Sequence, residues 1–123
     1  MPLKVLIVDD EPHMLRLSEL SLKRGGFDLV IGHNGREAVE LATREQPALV
    51  VMDVVMPEMD GLAALKQLKA SPVTAHIPVI MLTSRGQTVA REEAASSGAA
   101  LYITKPFSPS QLLAEARRVM GLA

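Results

Sequence analysis

Several polar side chains follow within two residues of short apolar runs: the acids Asp9 and Asp10 after the first, Asp53 after the third, the hydroxyl of Thr83 after the fourth and the ammonium of Lys105 after the fifth. If these groups meet, the chemistry open to them is narrow. Two like charges about 4 Å apart repel by roughly 4 kcal/mol at an effective dielectric near 20, so a cluster of three acids calls for positive charge. Lys105 supplies one charge. A hard, oxygen-seeking ion such as Mg²⁺, which takes one or two carboxylates and keeps several waters, supplies the rest. Beside such an ion Asp53 can attack a phosphorus in line, with Lys105 and Thr83 stabilising the equatorial oxygens.

The elements that must position these groups are legible as an alternation of β-branched runs with longer stretches of helical period, the pattern of βαβ units around a parallel sheet. The runs are Leu3 to Val8, Phe27 to Ile31, Ala48 to Met52, Pro78 to Leu82 and Leu101 to Ile103. The third and fourth are almost wholly apolar, as strands covered on both faces should be. Five helices are expected between and after them. Pro12 to Arg24 closes at Gly25 and Gly26, Asn34 caps a segment through Glu45, and Asp60 caps Gly61 to Ala70. Thr88 to Ser97 closes at Gly98; its apolar residues beyond Val89 are alanines, so it is expected to be the loosest. The last helix has Ser108 as N-cap, Pro109 in its first turn, and a core stripe of Leu112, Leu113, Ala116, Val119 and Met120. The most economical assembly is α/β and flavodoxin-like, a doubly wound five-stranded parallel sheet in the order 2-1-3-4-5. Ligands then bind beyond the strand C-termini where strands 1 and 3 diverge. Neighbouring strands lie about 4.8 Å apart, so the acids crowd there.

Composition narrows the function classes. The 123 residues fit a single domain, residues 1–123, with an aliphatic core, since Phe27, Phe107 and Tyr102 are its only aromatic residues. Cysteine is absent, which removes disulfides, thiol catalysis and cysteine-bound zinc. A net charge of −1 with scattered Lys and Arg lacks the basic footprint of a nucleic-acid binder, so no direct nucleic-acid contact is expected. The apolar runs are far shorter than the roughly 20 residues of a membrane span. Met1 to Lys4 lead straight into strand-like sequence without a signal-peptide pattern, and a cytoplasmic location is expected.

Four motifs in order, Val8-Asp9-Asp10-Glu11-Pro12, Met52-Asp53-Val54-Val55-Met56-Pro57-Glu58-Met59-Asp60-Gly61, Leu82-Thr83-Ser84 and Lys105-Pro106-Phe107, resemble the response-regulator receiver family of two-component signalling. The resemblance spans the whole chain. It implies Asp53 as phospho-acceptor, Asp10 and Asp53 as direct Mg²⁺ ligands with the Val55 carbonyl, Asp9 as a metal residue acting mainly through water, and a cis bond between Lys105 and Pro106. It further implies that Thr83 and Tyr102 form a switch acting on the face of the fourth helix, fifth strand and last helix, and that Val55 and Arg85 tune the phosphoryl lifetime. A sensor histidine kinase or histidine phosphotransfer protein is the implied donor, and the output partner is unknown. The implied state is a monomer or a phosphorylation-dependent dimer. The protein is then a switch rather than an enzyme, although it takes part in its own Mg²⁺-dependent phosphorylation and dephosphorylation.

Each residue also has an ordinary reading. Asp9 and Asp10 suit a helix start, Asp53 a loop before Pro57, Thr83 a cap, Lys105 a solvated surface and Tyr102 half-buried packing. His13, His33 and His76 lack metal-ligand spacing and read as exposed or capping residues. A dehalogenase-like phosphatase needs an acid two places after its nucleophile, where this chain has Val55. A flavodoxin-like cofactor carrier needs a phosphate loop that Asp9-Asp10-Glu11 would repel. A receiver cut from a larger regulator, and an unphosphorylated interaction module of the same fold, are the remaining alternatives.

Overall fold

Alternation within the strands divides the core into two layers. In β1 (Lys4–Val8), Leu6 and Val8 face one side and Val5 and Ile7 the other, and all four are fully buried. β3 (Leu49–Asp53) and β4 (Val79–Thr83) repeat the division: Val50, Met52, Val79 and Met81 join the first layer, and Leu49, Val51, Ile80 and Leu82 the second. β2 (Asp28–Gly32) and β5 (Leu101–Thr104) are less buried and form the two edges. The computed structural model describes residues 2–56, 59–83 and 98–122. Its five strands are all parallel, in the order β2-β1-β3-β4-β5. The expected doubly wound sheet is therefore present.

The helices cover the layers in pairs. Helices α2 (Gly35–Glu45) and α3 (Gly61–Ala70) bring Ala38, Ala42, Ala64, Leu65 and Leu68 to the first. α1 (Pro12–Lys23) and α4 (Pro109–Val119) bring Leu15, Leu22, Leu112 and Ala116 to the second, where Phe27 and Phe107 also lie. Three expected caps form: Asn34 accepts from the Glu37 N–H at 2.9 Å, Asp60 from Ala63 at 2.8 Å and Ser108 from Gln111 at 3.1 Å. Four helices are seen among the described residues. The expected helix Thr88 to Ser97 and Arg85 lie outside them.

Several boundaries differ from expectation in one direction. Strands β2, β3 and β4 each begin and end one residue later than their apolar runs, β1 starts at Lys4, and β5 continues through Thr104. Backbone pairing ignores side-chain polarity: Asp53 pairs with Leu82, and Thr83 with Thr104. Asp53 and Thr83 thus belong to the ladder as its last members instead of following it. α1 ends at Lys23 with Arg24 as its cap. α2 ends at Glu45 as expected, and its C-cap Gln46 takes the left-handed conformation (φ 48), with its side-chain amide donating to the Ala42, Thr43 and Val73 carbonyls. In α4 only Leu112 and Ala116 of the expected stripe are fully buried, and Met120 is the C-cap.

Candidate functional site

Asp9, one residue beyond β1, is tied down on both sides. Its N–H donates to the Gly32 carbonyl at 3.2 Å, and its Oδ1 accepts from the Glu11 N–H at 3.0 Å, which holds the turn into α1. Its carboxylate is buried (1% exposed), and Oδ2 has no hydrogen-bond partner among the described residues. Asp10 is exposed at the rim, and Asp53 is buried at the end of β3. Oxygens of the three carboxylates lie within 4.8 Å of one another. The adjacency of β1 and β3 brings about this crowding, as the strand order required.

Lys105 reaches the same point from the far side of the sheet. Its N–H donates to the Thr83 carbonyl at 2.6 Å, the Lys105–Pro106 peptide is cis, and Phe107 is buried in the α1–α4 layer. Between these anchors the ammonium lies 3.1 Å from Asp53 Oδ1 and 3.8 Å from Asp9 Oδ2. The first is a charge-assisted hydrogen bond; the second is too long for one.

Burial dominates the electrostatics. Desolvation pushes the Asp9 carboxyl up to about 6; Asp53 and Asp10 push the same way, while the Glu11 amide and Lys105 pull it down. Asp53 is raised too, chiefly by burial, against the pull of Lys105 and the Val54 and Val55 backbone. Among the described residues, with all four groups ionised, the three carboxylates and the Lys105 ammonium sum to a formal charge of −2. A divalent cation matches that deficit. The all-oxygen donor set and the unsatisfied Asp9 Oδ2 fit a hard cation.

Thr83, fully buried, ends the neighbouring strand. Alternation from Val79 and Met81 puts it on the α2–α3 side of the sheet. Tyr102, the register partner of Met81, is partly buried against that same layer. The two residues expected to act as a switch therefore share one face. Val55 is exposed (58%) at the lip beyond Asp53. His13 and His76 are exposed, and His33 pairs with Glu37 at 3.1 Å, which agrees with exposed or capping roles.

The sequence reading missed two glycines. A Cβ built on Gly61 would overlap the Asp53 carbonyl oxygen, and the Gly61 N–H donates to the Val54 carbonyl at 2.7 Å. A Cβ on Gly35 would overlap the Met59 carbonyl oxygen, which accepts from the Gly35 N–H at 3.0 Å. The available signal was that each follows a helix N-cap, Asn34 and Asp60.

Comparison with known proteins bears on the same residues. The family profile of the response regulator receiver domain matches residues 5–117. The transcriptional regulatory protein TrcR of Mycobacterium tuberculosis is 36% identical over 119 residues, 97% of this chain and 46% of that protein. The alkaline phosphatase synthesis transcriptional regulatory protein PhoP of Bacillus subtilis is 35% identical over 117 residues, 95% of this chain and 48% of that protein. The chain thus spans about half the length of the curated relatives it matches. Among solved structures, a response regulator from Chloroflexus aurantiacus superposes with a TM-score of 0.93 at 30% identity, covering 98% of this chain and 99% of that one. The receiver domain of the sensor histidine kinase PA1611 from Pseudomonas aeruginosa, which has a magnesium ion coordinated in its active site cleft, superposes at 0.90 with 27% identity, covering 98% and 99%.

Proposed function

The chain belongs to the response regulator receiver domain family, and from that premise we propose that it is a phosphorylation-activated switch whose acceptor is Asp53. Receiver domains are signalling domains that bind Mg²⁺ at an acidic site. The observation that carries the assignment is the Lys105 ammonium 3.1 Å from Asp53 Oδ1, within a cluster of three carboxylates.

Asp9, Asp10 and Asp53, with the Val55 carbonyl, would hold the Mg²⁺. When bound, the ion supplies charge neutralisation for the incoming phosphoryl oxygens. Asp53 is the nucleophile: its carboxylate oxygen bonds to the phosphorus of a phosphohistidine as the P–N bond breaks, and the imidazole leaves with the donor protein. The donor is a sensor histidine kinase or a histidine phosphotransfer protein. Lys105 holds the carboxylate in place before transfer and stabilises the phosphoryl oxygens afterwards. Thr83 donates its hydroxyl to the new group, and Tyr102, on the same face of the sheet, follows that movement to alter partner affinity. Val55 and Arg85 tune the phosphoryl lifetime; an apolar Val55 gives a hydrolytic water no orienting group. The names of two matched relatives support transcriptional control as the class of output.

Incubation with acetyl phosphate and Mg²⁺ tests the assignment. The mass should rise by one phosphoryl group in the wild type and stay constant in Asp53→Asn. Incorporation at another residue contradicts it.

A further inference from the structure

Helix α2 contributes no side chain to the acidic cluster, yet its first turn touches the chain that leads away from Asp53. We infer that Gly35 is a positioning residue for the cation site, acting through the backbone of Met59. The inference rests on the proposed Mg²⁺ site and extends it to an element outside it.

The contact is backbone to backbone. Gly35 is buried, its N–H donates to the Met59 carbonyl at 3.0 Å, and any Cβ there would overlap that same oxygen. Carbonyl oxygens cannot swing aside as the end of a flexible side chain can, so an added methyl must move Met59. The chain next to it has little slack. Asp60 caps α3 by accepting from Ala63, and Gly61 is pressed on the Asp53 carbonyl oxygen while its N–H donates to Val54 at 2.7 Å. A displacement at Met59 therefore passes through two residues to the backbone of Asp53 and Val54, which adjoins the Val55 carbonyl. Gly35 is itself fixed on the other side. Asn34 accepts from Glu37, and Glu37 Oε1 accepts from the His33 N–H at 3.0 Å, so the first turn of α2 cannot easily yield instead.

Gly25 provides a matched control. A Cβ there would also be crowded, at 2.6 Å from Phe27 and 2.8 Å from Leu113, but against side chains beside α1 and α4. Gly35→Ala should weaken Mg²⁺ binding about tenfold by isothermal titration, as changes to groups supporting a metal site do. Gly25→Ala should lower the melting temperature and leave Mg²⁺ affinity within about twofold. Equal Mg²⁺ affinity in Gly35→Ala and wild type overturns the inference. Should Gly35→Ala not fold, the wild type decides: titrated Mg²⁺ should shift the Gly35 amide resonance while that of Gly25 stays fixed, and an unmoved Gly35 amide overturns the inference. Failure of the wild type to bind Mg²⁺ at all overturns instead the site on which it rests.

Discussion

The Lys105 ammonium lies 3.1 Å from Asp53 Oδ1, whereas Asp9 Oδ2, 3.8 Å from the same nitrogen, is buried without a hydrogen bond among the described residues. One cation thus serves two carboxylates unequally. It orients the proposed acceptor and leaves the neighbour with an unmet need for positive charge.

Lys105→Met should separate two effects of the lysine. With the ammonium gone, Asp9 and Asp53 lose their one cationic partner among the described residues and keep only backbone hydrogen bonds, and the metal-free protein should lose about 2–4 kcal/mol in urea unfolding. Mg²⁺, no longer competing with the ammonium, should bind several-fold more tightly, while phosphorylation by acetyl phosphate slows. Weaker Mg²⁺ binding in this variant would count against the charge argument.

Asp9→Asn should have the opposite sign. A neutral amide of the same shape removes the buried charge, so the metal-free protein gains about 1–3 kcal/mol at neutral pH. Mg²⁺ should then stabilise the variant less than the wild type in parallel thermal melts.

The raised carboxyls also set a pH dependence. Asp9 titrates near 6 when folded, against 3.8 as its ordinary value, and Asp53 is shifted the same way. Between those values the folded state binds more protons than the unfolded state, so this contribution to stability falls as pH rises and its full cost is present above about 6. Without metal, lowering the pH from about 7 to about 4.5 should recover up to roughly 2 kcal/mol from Asp9. Mg²⁺ affinity should decline as pH drops through about 6. An affinity flat from pH 5 to about 7 contradicts the shift.

Two serines on α1 make a contrast independent of the site. Ser18 Oγ is buried without a partner among the described residues, whereas Ser21 Oγ donates to the Pro109 carbonyl and links α1 to α4. Ser18→Ala should be neutral or stabilising by about 1 kcal/mol, and Ser21→Ala destabilising by a similar amount, both read from denaturant midpoints.

Thr83→Ala probes the proposed switch. It should leave Asp53 able to take up beryllofluoride in the presence of Mg²⁺, yet the Tyr102 ring resonances should no longer respond as they do in the wild type. A full response in the variant shows that Tyr102 moves without the threonine.

The fold was legible because its determinants are local or periodic. Runs such as Val50 to Met52 and Ile80 to Leu82 are apolar on both faces, caps such as Asn34 and Ser108 mark helix starts, and short connections leave few topologies. The strand ends were misplaced because hydrophobicity stops one residue before the hydrogen-bonded ladder does, at Asp53 and Thr83. The left-handed Gln46 was equally hidden, since Pro47 offered a sufficient reason for α2 to end there.

By itself the sequence determined which chemical groups are available and that each stands at the C-terminal end of a strand, since residue type and run length are properties of the chain alone. Only the tertiary structure decided how they share charge. Whether Lys105 bonds to Asp53 or Asp9, which carboxylate oxygen is left unsatisfied, and that Gly35 of α2 presses on Met59 depend on distances between segments far apart in the chain. Coulombic and steric energies change over fractions of an ångström at such contacts, and spacing along a sequence carries no information at that scale.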